Sequence, residues 1–379
     1  RIAIGQTLWA GHIEMHLKSS DWNTHGHTND ANYQNVILHV VWEDDKPVLG
    51  YHNDPIPTLQ LRDFVSKDTL VAVLQTQAVL ADKLINCQFD HNAVPQDIKD
   101  GWWTSLSRQR LQDKSHEIKN WLAVSRNNWE QVLFITLLKS FGLHVNSEAF
   151  LSLGLKLDYT IVQKMRHDQL QLEALFLGMS CMLDSAKEVD AYTSQLKGIF
   201  QYQYNKFSLD RKGILRPVFL RLRPSNFPTI RLSQLALLLV RQPRLFGKLM
   251  STYSRSGLHK LLSVSASDYW ETHYTFGKLS KRKPKKVSAS FMDLLIINSV
   301  IPLKYVYACA MGHDVWDQLR HLLEACPPEQ NHILRGMTQL GMQPANALQS
   351  QALLQMYDEY CIKNRCLECA IGRYLLKGI

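Results

Sequence analysis

Residues 11–45, "GHIEMHLKSSDWNTHGHTNDANYQNVILHVVWEDD", decide how the chain is read. In "HIEMHLK", Ile13, Met15 and Leu17 alternate with His12, Glu14, His16 and Lys18. Successive strand side chains point to opposite faces, so the pattern predicts a strand with one apolar and one polar face. "NVILHVVW" (35–42) is almost continuously apolar, as expected of a strand buried on both sides. His39 interrupts it, and a polar residue inside a buried strand needs a partner or a role. Between the two strands lies a polar loop holding Asp21, His25, His27 and Asp30. Five of the fifteen histidines of the chain fall in this one stretch.

Outward from there, residues 1–62 read as β-rich. "RIAIG" is expected to pair with "HIEMHLK" as a hairpin through "QTLWAG", and "EDDKPVLGYHNDPIPTLQL" (43–61) supplies a turn and two short strands before a helix near Asp63. Helical periodicity follows over 66–86, with Ser66 as N-cap, and over 126–142, with Gly142 as C-cap. Further helices fit 147–156, 159–186, 188–204, 231–240, 244–263, 287–300, 312–325 and 345–360. "RPSNFPTIR" (223–231) reads as a loop before a helix, and "SKRKPKK" (280–286) as an exposed basic loop. The expected fold class is α+β. A small β-rich domain over 1–62, taking in a helix to about residue 100, precedes a mostly α-helical region over 101–379.

The 379 residues, 45% hydrophobic and 20% charged, have the composition of a globular protein with ample core. The apolar runs 232–240 and 291–303 are shorter than the roughly 18 residues of a membrane span, so they read as buried helices and no membrane partner is expected. Seven scattered cysteines point to a reducing, cytoplasmic compartment. The opening on strand-like "RIAIG", with neither methionine nor signal pattern, leads us to expect an upstream segment. Net charge is +9, but residues 205–290 carry 18 Lys/Arg against Asp210, Asp268 and Glu271, a local +15 that leaves −6 for the rest. Such concentration suggests a polyanionic partner, nucleic acid being the commonest. Arg221, Arg223 and Arg231, interleaved with apolar and aromatic residues, are the candidates for phosphate contact. The oligomeric state is left open.

Two metal sites suggest themselves. At the first, Glu14, His27, Asp30 and His39 are candidate ligands, with Glu14, His16 and Lys18 as the catalytic set. A divalent cation polarises a phosphoryl oxygen and activates water, and a lysine offsets developing negative charge. Carboxylates suit Mg²⁺ or Mn²⁺ and imidazoles suit Zn²⁺, so the metal is open. The alternative is a solvated sheet face with a hydrogen-bonded core histidine. At the second, Cys361, Cys366 and Cys369 in "CIKNRCLEC" fit zinc or an iron–sulfur cluster, given a fourth ligand from Cys326, Cys309 or His332. Free thiols are the competing reading.

"WAGHIEMHLKSSDW", "HGHTNDANYQNVILHVVWEDD" and "SQALLQMYDEYCIKNRCLECAIGRYLL" resemble an uncharacterised bacterial domain-of-unknown-function family over the whole chain. The resemblance implies a "GPDF"-type segment upstream of "RIAIG". "IEMHLK" is also similar to the acid-x-Lys strand of the PD-(D/E)XK nuclease superfamily, which implies a restriction-endonuclease-like N-terminal domain with Glu14 as the second acid. His16 stands where that superfamily has its lysine, and Lys18 follows on the same face. The resulting expectation is a metal-dependent nuclease-like phosphodiesterase acting on nucleic acid. A non-catalytic nucleic-acid-binding or scaffold protein is the first alternative, and a metal-dependent small-molecule hydrolase the second.

Overall fold

A computed structural model describes every residue except 1, 5, 6, 52, 66–83, 88–90, 185–189 and 377–379. The helix expected over 66–86 falls mostly outside the described residues. The chain divides into two compact units, Arg1–Leu84 and Ile85–Ile379. The fold is α+β, with its main sheet in the first unit and a helical second unit.

Three strands build the sheet of the first unit. After β1 (Ile2–Ile4) and β2 (Thr7–Trp9) come β3 (His12–Lys18), β4 (Val36–Glu43) and β5 (Thr58–Gln60). The order β3-β4-β5 is parallel throughout, with β4 in the centre. This is the position its apolar run requires, and Val40 and Val41 are buried there. The hairpin expected between "RIAIG" and "HIEMHLK" does not form. β1 pairs instead with β2, Ile2 opposite Trp9, so the "TLW" of the presumed turn is itself the second strand. The 19–35 segment, containing the short helix Asp21–Thr24, is long enough for a crossover and leaves β3 parallel to β4. Gly11 permits the approach: a Cβ there would lie 2.4 Å from the Asn35 carbonyl oxygen, next to the 2.8 Å bond from His12 N–H to that same oxygen.

The helical unit contains the longest helix, Gln96–Val124, which the periodicity reading passed over. Its buried side includes Ser107 and Ser115 between Trp103, Leu106, Leu111, Ile118 and Trp121, so two hydroxyls interrupt the apolar stripe. Other expected helices are subdivided. The run 159–186 is Tyr159–Met165 and Gln169–Met179, the second capped by Asp168, and 244–263 is Leu245–Ser251 and Arg255–Leu262, the second capped by Ser254. Gly142 follows the helix Trp129–Phe141, but with right-handed φ (−66°). The left-handed residue is Leu143, and Gly142 is required because a Cβ would meet the Asn146 carbonyl oxygen at 2.3 Å.

The apolar run 291–303 also proves longer than read. A continuous helical segment, Ala289–Ala310, spans 22 residues and is long and apolar enough to cross a membrane by length and composition. Its apolar window is 72% buried inside the helical unit. Pro302 lacks an N–H and crowds the preceding turn, and the π-helical stretch Ile296–Val300 absorbs that mismatch without breaking the segment.

Candidate metal centre

Register places the polar face of β3 against β4. Glu14 pairs with His39, His16 with Val41 and Lys18 with Glu43. The polar face, read in the alternative as solvated, is partly covered: the Asp21–Tyr33 segment packs on it at Glu14 and His16, while Met15 and Leu17 on the apolar face are 66% and 75% exposed. Asp45 fixes the start of that segment. Its carboxylate accepts from the Ser20 N–H (2.9 Å), Ser20 Oγ (2.8 Å) and Ser19 Oγ (3.0 Å), bonds that hold its pKa down to about 2. Trp22 is thereby driven into the sheet, fully buried, with its ring 5.3 Å from those of both His27 and His39.

Around this indole the imidazoles converge. Gly26, at φ +72°, turns the chain so that His25 and His27 both face His16. One ring nitrogen from each of His16, His25 and His27 lies within 4.8 Å of the other two. His16 Nε2 and His25 Nδ1 are 3.2 Å apart, close to the ~3.3 Å edge of a tetrahedron with Zn–N bonds of about 2.0–2.1 Å. Behind them, His16 Nδ1 and His39 Nε2 share a 2.8 Å hydrogen bond. Glu14 Oε1 approaches His16 Nε2 at 3.9 Å. The ring of His27 stacks on Tyr33 at 3.7 Å. Burial lowers the pKa of His16 and of His27, and takes His39 down to about 4, so the rings are held neutral, the form that ligates metals.

The expected site residues are thus only partly gathered. His16 and His27 meet at one point, and Glu14 stands beside His16. His39 stands behind His16 as its hydrogen-bond partner, the relation that fixes tautomer and orientation in metal-ligating histidines. Asp30 is turned to Asn32, accepting from its N–H (2.9 Å) and Nδ2 (2.8 Å). Lys18 lies at the exposed end of the face, 3.8 Å from Glu43, which Arg62 also contacts at 3.3 Å. His25 was missing from the expected ligands, and its signal was the His-Gly-His spacing. The donor set fits a borderline metal such as Zn²⁺ better than Mg²⁺, because all three of its groups are imidazoles.

In the helical unit the basic residues have divergent fates. Arg221 and Arg223 are exposed, Arg221 at φ +60°. Arg231 is buried, its guanidinium 3.6 Å over the Phe291 ring and donating to Asn226 Oδ1 (2.7 Å) and Gln234 Oε1 (2.9 Å), and burial lowers its pKa to about 10. Lys285, inside the loop expected to be exposed, is also buried and donates to the carbonyls of Glu271 and Lys283. Cys361, Cys366 and Cys369 line one cavity of about 490 Å³.

Fold and site together define a two-unit α+β protein with an imidazole-lined centre on a parallel sheet. The chain belongs to the family described as "Protein of unknown function (DUF2851)", whose model matches residues 1–332. The third sequence block that suggested such a family, "SQALLQMYDEYCIKNRCLECAIGRYLL", lies beyond the matched residues. No curated protein and no solved structure matches the chain.

Proposed function

We propose that the N-terminal unit is a metal-dependent phosphodiesterase acting on nucleic acid, with His16, His25 and His27 as the metal ligands. The observation that carries this reading is the convergence of three imidazoles, one of them oriented by His39. When bound, a divalent ion would supply Lewis-acid polarisation of a phosphoryl oxygen. The protein's part is positional. Glu14, half-buried beside His16, is placed to accept the proton of an attacking water. Lys18 and Arg62 both contact the carboxylate of Glu43, which sets two cations at that end of the face, within reach of a phosphate chain. Strand, helix and parallel strand in succession, with Glu14 on the first, also accord with the resemblance to PD-(D/E)XK nucleases.

The test is metal content by mass spectrometry together with cleavage of single- and double-stranded oligonucleotides in Zn²⁺ or Mn²⁺. Wild type is expected to hold one metal per His16 centre and to cleave. His16→Ala should lose the metal, and Glu14→Gln should keep it while cleavage falls about 10²–10⁴-fold, the usual worth of a general base. Wild type devoid of metal, or undiminished cleavage by Glu14→Gln, overturns the proposal. Metal bound with salt-sensitive oligonucleotide binding but no cleavage would favour the binding-protein reading, which the exposed Arg221 and Arg223 support.

A further inference from the structure

The cavity at the C-terminal cysteines has a fourth thiol that spacing did not reveal. Cys87, at the start of the helical unit, lines it together with Cys361, Cys366 and Cys369 near the end of that unit. The fourth ligands suggested by sequence lie elsewhere. Cys309 is exposed and Cys326 is buried beside Asp293 and Arg255, and neither they nor His332 line the cavity.

The surroundings are built closely. Cys361 ends a π-helical turn, Tyr357–Cys361, that follows the helix Ala347–Met356, and such turns are frequent at functional sites. Asn364, at φ +54°, bends the loop toward Cys366 and Cys369. The next helix presents Gly372 to that loop, where a Cβ would stand 2.2 Å from the Cys366 carbonyl oxygen. Asn86 Nδ2 donates to Asn364 Oδ1 (2.9 Å) and to Cys366 Sγ (3.6 Å), joining the Cys87 segment to the cysteine loop.

Size selects which cation. A single zinc with Zn–S of about 2.3 Å brings its thiolates to ~3.8 Å of one another. Among the described residues, the trio of His, Cys or carboxylate groups with ligand atoms all within 4.8 Å is His16, His25 and His27, so no three of these thiols are gathered that closely. A multi-iron cluster spreads its thiolates further, and N–H···S bonds such as that from Asn86 are among the features that tune one.

We propose that Cys87, Cys361, Cys366 and Cys369 bind an iron–sulfur cluster of the four-iron class, tying the two ends of the helical unit together. It is independent of the histidine centre in the other unit.

The full chain, purified without oxygen and reconstituted with ferrous iron and sulfide, is the material for the test. About four irons and four sulfides per chain are expected, with a broad visible charge-transfer absorption. Cys87→Ser should lose the cluster as completely as Cys361→Ser, while Cys309→Ser and His16→Ala retain it. Iron retained in Cys87→Ser, or zinc without sulfide at these cysteines, overturns the assignment. Should the serine variants fail to fold, alkylation of native wild type decides. The four thiols should be protected until iron is removed, and equal labelling before and after removal, or no iron uptake at all, also sinks the proposal.

Discussion

Lys304 is 1% exposed, and its Nζ donates to the Met250 carbonyl (2.9 Å) and sits 3.7 Å over the Tyr253 ring. Burial lowers its pKa to about 8, below the ordinary lysine value of 10.5. The unfolded chain therefore binds more protons between these two values. The cost of burying the charge is complete below pH 8 and is relieved as pH climbs toward 10.5, by on the order of 3 kcal/mol in all. Lys304→Met, similar in volume and uncharged, is expected to melt higher than wild type at pH 7, with the gap closing between pH 8 and 10. A gap constant with pH would mean that the lysine stays charged inside the protein. At this scale the sequence shows residue type and spacing but not convergence. The face carrying Glu14, His16 and Lys18 was legible from alternation. That His39 backs His16, that Asp30 turns to Asn32, and that Cys87 lines the same cavity as Cys366 depend on register and tertiary approach, which spacing does not encode.

Among the elements, β4 was the most legible because burial on both faces writes one continuous apolar run. The hairpin failed because either "TLW" or "HIEMHLK" can pair with "IAI", and short strands carry too little pattern to choose. Helix Gln96–Val124 was passed over because Ser107 and Ser115 occupy its buried stripe, Ser115 Oγ donating to the Leu111 carbonyl at 2.6 Å. Two helical glycines give opposite expectations. Gly178 lies where the helix Gln169–Met179 meets Ala191–Lys206, and a Cβ there would be 2.2 Å from Phe200 Cγ. Gly178→Ala should destabilise by about 1–3 kcal/mol or more through overpacking. Gly198, on the second helix with nothing within 4 Å of its Cβ position, should gain about 0.5–1 kcal/mol as alanine. Urea melts of the two variants read both signs, and equal shifts would show that the helices are not packed as described.

For the molecule as a whole, the question is what its lopsided charge faces. The local +15 of residues 205–290 is smaller in effect than the count implies. Arg211, Arg255 and Arg282 are held by Asp184, Asp293 and Glu271, and Arg231 and Lys285 are buried. What remains outside includes Arg216, Arg221, Arg223, Lys278, Lys281 and Lys286, enough to displace counterions from a polyanion. Oligonucleotide affinity, followed by fluorescence anisotropy, is then expected to fall steeply between 50 and 200 mM salt, by up to about 10³-fold if six phosphates are contacted. Arg221→Ala and Arg223→Ala should each lower the slope of log affinity against log salt by about one. Arg231→Ala should leave that slope alone and act on stability instead, since its guanidinium lies against Phe291. If affinity is indifferent to salt, the surface excess serves solubility alone, and substrate must then be held entirely by the face of Glu14, Lys18 and Arg62.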